Sequence, residues 1–330
     1  VLRLLSTGSV AVSVIDTVIG STGLDILTVT DSGTTGALAI SAIESVIGTT
    51  ATGETLTLLT SSSLSMSGFE TVIGSAASND QVTLLGSASL AVSGVETVVG
   101  GTDTTDIVTL LAAGSMSVSN VESVVGSTAT NDVVTMLASG SLAVSNVETV
   151  VGGGALTEVV SFADATLSTS RVDSVLGSVT GTETLRLLTG GIVSLSSVET
   201  VIGSAAINDQ INLLASGTVA VSAVESVLGT AQSGDVVRML QAGTMAVSAV
   251  ESVIGSSGAD VVTLQGGGTL KVSGVESLVG TADTSDTIEL LAAGAIRVSA
   301  IETVIGSTGT TDSVTLAATG NLVVSGVESV

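Results

Sequence analysis

The residues of this chain best suited to chemistry are carboxylates placed at a regular spacing. One acid recurs about every 26 residues in a motif of the form Val-Glu-Ser/Thr-Val-x-Gly. Its positions are Asp16, Glu44, Glu70, Glu96, Glu122, Glu148, Asp173, Glu199, Glu225, Glu251, Glu276, Glu302 and Glu328. Regularly spaced carboxylates suit three roles: ligands of a hard cation, general acid–base pairs, or acceptors of backbone N–H groups in turns.

A second acid follows each of the first twelve by nine or ten residues, after a segment rich in Gly and Ser. These loop acids are Asp25, Glu54, Asp80, Asp106, Asp132, Glu158, Glu183, Asp209, Asp235, Asp260, Asp286 and Asp312. The two series contain 25 of the 30 acidic residues of the chain. The repeat itself therefore places the negative charge.

The composition excludes most other chemistries. The chain has no His or Cys, which removes zinc, haem, thiol and Ser-His-Asp sites. The formal net charge is −24 with only six scattered Lys and Arg residues, so we expect no binding to nucleic acid. Acidic residues interrupt the apolar runs too often for a membrane span of about 20 residues. Cations are the partners that this charge favours.

The 26-residue period runs through residues 1–330 and predicts a single continuous stack of repeats. Within the unit at 131–152, Val134 and Met136 alternate with Thr135, which is the period of a strand. Many β-branched residues and recurrent Gly disfavour helix. We predict an all-β, right-handed parallel β-solenoid of the β-helix or β-roll kind. About 26 residues and three short strands would form each coil, giving roughly 12 coils.

Stacking would turn each position of the repeat into a ladder with a spacing of about 4.8 Å. We interpret the Gly that closes the motif, from Gly20 to Gly306, as a turn residue. Glutamates such as Glu148 would repel their neighbours by about 0.9 kcal/mol per pair in water. Bound cations, hydrogen bonds from Ser and Thr, raised pKa values or solvation would offset this repulsion.

The ends of the chain lack the polar caps that a solenoid needs. The sequence starts at Val1 and stops at "VESV", each time partway through a unit. An uncapped end coil exposes strand edges and core. We therefore expect a segment of a longer chain, or ends that neighbouring molecules cover.

Two loops carry the spacing of a known calcium-binding repeat. Residues 20–28 read GSTGLDILT and residues 255–263 read GSSGADVVT. Both resemble the RTX nonapeptide, Gly-Gly-x-Gly-x-Asp-x-apolar-x, of secreted bacterial proteins. The resemblance implies a parallel β-roll whose Gly-rich turns and Asp bind calcium. The other loops are longer, and the full unit is more similar to degenerate repeats of giant bacterial surface proteins, adhesins and S-layer-like proteins.

Calcium is therefore the candidate cofactor. Its candidate ligands in the loops are Asp25, Asp80, Asp106, Asp132, Asp209, Asp235, Asp260, Asp286 and Asp312. Weaker candidates in the Val-Glu motif are Glu96, Glu122, Glu148 and Glu251. The alternative is that each loop acid only accepts N–H bonds in a turn before a strand. Glu at positions 54, 158 and 183 favours that alternative, because the longer side chain moves the carboxylate oxygen.

The repetition also bears on function. A paired-carboxylate enzyme needs one distinctive place, whereas every acid pair here recurs, so we expect no catalysis. The visible irregularities are an insertion at 29–36 and the unit around Asp164 and Arg171. The outward position of the first strand is often Thr, which is one route to ice binding, but Arg186 and Glu289 interrupt it. The outward position of the second strand is small and uncharged over ten units, which suits association.

We expect an extracellular or surface-displayed bacterial structural protein that forms a rod, layer or filament, with calcium as the candidate stabilising ion. End-to-end or side-by-side self-association is the expected partnership, with other surface components as further partners. An adhesin segment that presents one face to a glycan or host protein is the alternative, and an ice-binding solenoid is a more remote one.

Overall fold

The computed structural model describes residues 1–31, 36–77, 79–154, 157–163, 166–282, 285–318 and 320–330. Residues 32–35 of the predicted insertion and Asp164 lie outside the described residues. The described residues contain strands and turns and no helix. The predicted all-β class is confirmed.

The chain falls into two compact units, Val1–Asp164 and Ala165–Val330. In the first unit, odd-numbered strands form one sheet: β1 (Leu2–Arg3), β3 (Thr17–Ile19), β5 (Ala37–Ser41), β7 (Thr55–Leu58), β9 (Thr71–Ile73), β11 (Ser89–Ser93), β13 (Ile107–Leu110), β15 (Ser123–Val125), β17 (Gly140–Ser145) and β19 (Glu158–Phe162). Even-numbered strands form the other sheet: β2 (Gly8–Ser13), β4 (Asp25–Asp31), β6 (Ser45–Ile47), β8 (Ser63–Ser67), β10 (Gln81–Leu84), β12 (Thr97–Val99), β14 (Ser115–Ser119), β16 (Val133–Met136) and β18 (Thr149–Val151).

The second unit repeats this arrangement. Its even strands are β20 (Thr166–Ser170), β22 (Thr184–Leu187), β24 (Thr200–Ile202), β26 (Thr218–Ser222), β28 (Val236–Met239), β30 (Ser252–Ile254), β32 (Thr269–Ser273), β34 (Thr287–Leu290), β36 (Thr303–Ile305) and β38 (Val323–Ser325). Its odd strands are β21 (Ser174–Leu176), β23 (Ile192–Ser196), β25 (Gln210–Leu213), β27 (Ser226–Leu228), β29 (Thr244–Ser248), β31 (Val261–Leu264), β33 (Ser277–Val279), β35 (Ala295–Ser299) and β37 (Ser313–Leu316).

A coil contains two strands, not the three predicted. Each strand pairs in parallel with the strands two before and two after it, so β10 lies between β8 and β12. Partners are most often 16, 18 or 20 positions apart, as in Gln81 with Thr97, Ser63 with Gln81, and Thr71 with Ala91. The chain makes about 17 turns, more than the roughly 12 predicted. The parallel solenoid is confirmed, and its coil count was wrong.

One 26-residue repeat is therefore one and a half coils. All three turns of the repeat reverse the chain, so its third strand returns to the sheet of its first strand. The next repeat then starts on the opposite sheet: β7 is odd, β10 is even and β13 is odd. Equivalent positions of successive repeats alternate between the two sides of the solenoid, instead of forming one ladder.

The core follows from the alternation within each strand. In β10, Val82 and Leu84 are buried while Gln81 and Thr83 face outwards. Inward residues of neighbouring coils stand in register, as Val82 does with Leu64 and Val98. Full burial of one such aliphatic side chain contributes about 1.5–3 kcal/mol. The aliphatic rows between the two sheets thus replace the aromatic core that this composition cannot supply.

The Gly that closes the Val-Glu motif has a different role from the one predicted. Gly100 has no positive φ, but a Cβ there would lie 1.7 Å from the carbonyl oxygen of Asn120 in the next coil. The residue of the left-handed turn is instead the one before Val-Glu, such as Gly94 (φ 64°) or Ala223 (φ 53°). The repeated Gly is therefore needed because neighbouring coils stack too closely for a side chain, and not because of its turn conformation.

The acidic turns as candidate functional site

Each repeat has three turns. The acid loop enters the first strand, a second loop joins the first and second strands, and a Val-Glu turn joins the second and third. In one described example, the acid loop contains Asp80 and the following Val-Glu turn contains Glu96. Because a coil has two strands, an acid loop, a Val-Glu turn and a second loop follow one another up each edge of the solenoid.

The loop aspartate connects three successive coils. Asp80 is fully buried, and its Oδ2 accepts the N–H of Ser75 in its own loop at 2.5 Å. Its Oδ1 accepts the N–H of Ser62 in the preceding coil at 3.1 Å. Its own N–H donates to Oε2 of Glu96 in the following coil at 2.8 Å. Charge-assisted bonds of this kind are roughly twice as strong as neutral ones.

The same arrangement recurs at the two RTX-like loops. Oδ2 of Asp260 accepts the N–H of Ser256 at 2.5 Å, and its Oδ1 accepts the N–H of Gly243 at 3.1 Å. In the other loop, the oxygens of Asp25 accept the N–H groups of Ser21 and Gly8 at 2.5 and 3.1 Å. Both aspartates are fully buried. The two loops that best resemble a calcium repeat therefore use their carboxylate as the others do.

The remaining candidate aspartates are also fully buried and accept backbone N–H groups. They are Asp106, Asp132, Asp209, Asp235, Asp286 and Asp312. A Ser or Thr that follows the repeated Gly often adds its hydroxyl, as Ser127 Oγ does to Asp132 Oδ2 at 2.9 Å. A Ser or Thr directly after the repeated Gly is the sequence signal for this hydroxyl.

The weaker candidates in the Val-Glu turns bind the acid loop of the preceding coil. Glu148 Oε2 accepts the N–H groups of Asn131 and Asp132 at 2.9 and 2.8 Å. Glu251 does the same with Gly234 and Asp235. Glu96 and Glu122 accept the N–H of Asp80 and Asp106, respectively, at 2.8 Å. Each glutamate thus satisfies buried backbone donors that would otherwise destabilise the turn.

Loop glutamates interact differently from loop aspartates. Glu54 accepts both the N–H and the hydroxyl of Thr49 within its own loop, at 3.0 and 2.7 Å. Glu183 likewise accepts the N–H and hydroxyl of Ser178 through Oε1, and its Oε2 is buried without a hydrogen-bond partner. The additional methylene places the carboxylate away from the preceding coil.

Hydrogen bonding and burial shift three pKa values. The N–H of Ser21 holds the pKa of Asp25 below its ordinary value of 3.8, despite burial. Burial raises the pKa of Glu183, but the Ser178 and Glu199 hydrogen bonds outweigh it, and the net shift is downward. Burial raises the pKa of Glu199 above 4.5, and the neighbouring Glu183 carboxylate raises it further. The carboxylates of Glu183 and Glu199 therefore repel each other.

The predicted column of glutamates 4.8 Å apart does not form. Successive Val-Glu turns lie on opposite edges, and those on one edge are three coils, or about 14 Å, apart. At that distance two carboxylates in water repel by only about 0.3 kcal/mol, before screening by salt. The mutual repulsion of the Val-Glu glutamates is therefore small.

The described acids are not clustered in groups of three or more. Calcium takes six to eight oxygen ligands, often several carboxylates. Among the described residues, no three Asp or Glu side chains lie close enough to hold one metal ion. The loop carboxylates accept N–H donors from their own loop and, in many repeats, from the preceding coil. Calcium binding at Asp25, Asp260 and their equivalents stays a prediction.

The larger surface grooves repeat with the sequence. One groove, of about 390 Å³, lies between the Val-Glu turn around Glu122 and the second loop around Ser139. Equivalent grooves of about 310, 220 and 210 Å³ contain Glu199, Glu251 and Glu276. Each lies where an edge has no loop acid to connect the coils. These grooves therefore belong to the repeat and mark no distinctive site.

Comparison with known proteins adds no family. The chain matches no protein-family model, no curated protein and no solved structure. Within the described part of the chain, no helix has the length and hydropathy to cross a membrane.

Proposed function

We propose that this protein is a structural solenoid of the bacterial cell exterior, which builds a rod, layer or filament and has no catalytic role. The observation that carries the proposal is the shared geometry of the acid loops. From Asp25 to Asp312, the buried loop aspartates bind backbone N–H groups in the same way. A structural element uses every coil equally, whereas an active site needs one coil to differ.

Two further features support a structural role over the alternatives. The two aromatic residues, Phe69 and Phe162, are 3% and 4% exposed, so neither ring offers a stacking platform to a sugar. On the odd sheet, Thr109 lies between Ala91 and Val125. The residues on either side of this outward threonine are thus not threonines. A flat array of threonines, which ice binding uses, is therefore not favoured.

Electron microscopy of the purified chain tests the proposal. We expect stiff particles of constant width that associate as the concentration rises. Flexible or collapsed particles would contradict a structural role. In parallel, a panel of glycans tests the adhesin alternative, since saturable binding by solitary particles would replace the proposal.

A separate measurement tests the calcium prediction. The calcium prediction expects a higher midpoint of thermal unfolding in calcium than in a chelator, whereas equal midpoints would mean that N–H donors alone satisfy the loop carboxylates. A midpoint that rises with calcium concentration would mean that these carboxylates exchange their N–H partners for the ion.

A further inference from the structure

The one-and-a-half-coil repeat places four of the five charged outward strand residues of the second unit on one sheet. Arg186, Arg238 and Glu289 occupy the same position in alternate repeats. Because alternate repeats return to the same sheet, all three lie on even strands, β22, β28 and β34. Lys271 is on β32 and pairs with Glu289 at 3.6 Å. The even-strand face is therefore charged.

The odd-strand face of the same unit is neutral from β21 to β33, and Arg297 on the next odd strand, β35, bounds it. Every residue between 174 and 279 is described, and no outward position of β21, β23, β25, β27, β29, β31 or β33 is charged. These positions hold Ser, Thr, Ala, Asn, Gln, Val, Ile and Leu. Ile192 and Leu228 are 59% and 39% exposed. We call this surface the neutral face.

We infer that the neutral face of the second unit is a docking surface for a second copy of this chain. This inference deepens the proposed structural function by naming its partner and surface. Two chains that each carry a charge of −24 repel each other, and a face without charged side chains adds least to this repulsion. The even-strand face would bury Arg186 and Arg238 without partners, which is costly.

Shape and area favour a copy of the same face. Rows of small and β-branched side chains repeat every 4.8 Å or so, and a sheet with the same period fits them row by row at about 10 Å. Seven strands with three to five residues each offer roughly 500 Å² per copy. The total of about 1,000 Å² reaches the lower limit for a specific interface. A two-fold arrangement of the same patch on both copies satisfies this geometry.

Two alanines provide a matched test. Ala246 in β29 lies on the neutral face and Ala220 in β26 on the charged face. Both occupy the centre of a Thr-x-Ala-Val-Ser strand and are half-buried. Ala246→Glu places a charge on each side of the proposed interface, whereas Ala220→Glu adds the same charge next to Arg238.

Sedimentation velocity of the full chain over a concentration series measures the effect. We expect the wild-type chain to dimerise, Ala246→Glu to weaken dimerisation at least tenfold, and Ala220→Glu to leave it unchanged within about twofold. A monomeric wild-type chain, or an equal response to both variants, overturns the inference. A monomer that electron micrographs still show as a stiff particle would leave the proposed function intact.

Cysteine variants provide a readout that does not depend on added charge. The chain has no Cys, so Ala246→Cys and Ala220→Cys each introduce a single thiol. A cross-linker of about 10 Å should join copies through position 246 and not through position 220. Cross-linking at position 220 alone would assign the interface to the charged face instead.

Discussion

At the scale of the residue, Asp132 shows why a carboxylate is needed in each acid loop. Its Oδ2 accepts the N–H and hydroxyl of Ser127 at 2.6 and 2.9 Å, and its Oδ1 accepts the N–H of Gly114 at 3.1 Å. An acid in this position satisfies donors from two coils at once. Buried N–H groups without an acceptor cost about 1–3 kcal/mol each.

We expect Asp132→Ala to lower the free energy of unfolding by about 3 kcal/mol, because several donors lose their acceptor together. Asp103→Ala is the control, since Asp103 is exposed and accepts one N–H, from Ser87 at 3.1 Å. The control should change stability by less than about 0.5 kcal/mol. Urea unfolding monitored by circular dichroism measures both, and equal losses would contradict the proposed role of the loop acid.

The raised pKa of Glu199 predicts a pH dependence of stability that is opposite in sign to that of Asp25. The pKa of Glu199 is raised in the folded chain, so the folded state binds its proton more tightly than the unfolded state. The stabilisation is present at low pH and is lost as the pH rises from the ordinary value of 4.5 through the raised pKa. Asp25, whose pKa is lowered, stabilises above 3.8 and loses this effect below it.

Glu199→Gln should therefore stabilise the chain at pH 7 by up to about 1 kcal/mol, because it removes the opposing charge and keeps an acceptor for the N–H of Glu183. The matched control is Glu225→Gln, at the same position opposite Asp209. There we expect no gain. Unfolding free energies between pH 4 and pH 7 decide the matter, and a Glu199→Gln variant less stable than wild type at pH 7 would refute the assignment.

At the scale of the element, the Val-Glu turn contains two glycines with different requirements. Gly94 has a φ of 64°, and a Cβ there meets only atoms at 3.8 Å or more. Ala occupies the equivalent position with similar φ at residues 42, 223, 249 and 300. Gly100 has an ordinary φ, but the carbonyl of Asn120 leaves no room for a Cβ.

The same substitution should therefore have two different costs. We expect Gly94→Ala to lower the free energy of unfolding by about 1 kcal/mol, which is the cost of a left-handed conformation less the entropy gained. We expect Gly100→Ala to cost about 3 kcal/mol or more, because the two coils must separate. Thermal unfolding of the two variants compares them directly. Similar midpoints would mean that the coils are less closely stacked at Gly100.

At the scale of the whole molecule, the number of strands per repeat governs which sheet each charge occupies. Three strands per repeat and two per coil make consecutive repeats alternate between sheets. Repeat proteins tolerate the loss of whole repeats, because each unit contacts mainly its neighbours. A deletion of one repeat should keep the fold but move every later strand to the opposite sheet, so that odd strands become even and even strands become odd. We call this a change of strand parity.

We expect deletion of residues 204–229 to place Arg186 and Arg238 on opposite sheets and so to abolish the neutral face. Deletion of residues 204–255 removes two repeats, keeps the parity and preserves a shorter neutral face. Both variants should unfold cooperatively. Sedimentation should show at least tenfold weaker dimerisation for the one-repeat deletion than for the wild-type chain, with the two-repeat deletion in between because it keeps four of the seven strands. If the one-repeat deletion dimerises as strongly as the wild-type chain, association does not depend on which sheet carries the charged residues.

The sequence by itself determined the local structure of this protein. Alternation of residues such as Val134 and Thr135 predicted the strands, and the regular acids left two roles open, calcium ligation or acceptance of N–H groups in turns. These features depend on residues that are close together in the chain. The alternation of side chains along a strand can therefore be seen within a single repeat. The strands, the solenoid class and the positions of the turns were therefore predictable.

Only the tertiary structure decided how many strands complete a coil. The period of 26 residues counts three strands, but it contains no information on the angle at each turn. Because all three turns reverse the chain, Thr71 pairs with Ala91 two strands later, and the coil closes before the repeat does. This pairing between distant segments also decided which coils Asp80 connects, why Gly100 has no side chain, and which sheet carries Arg186.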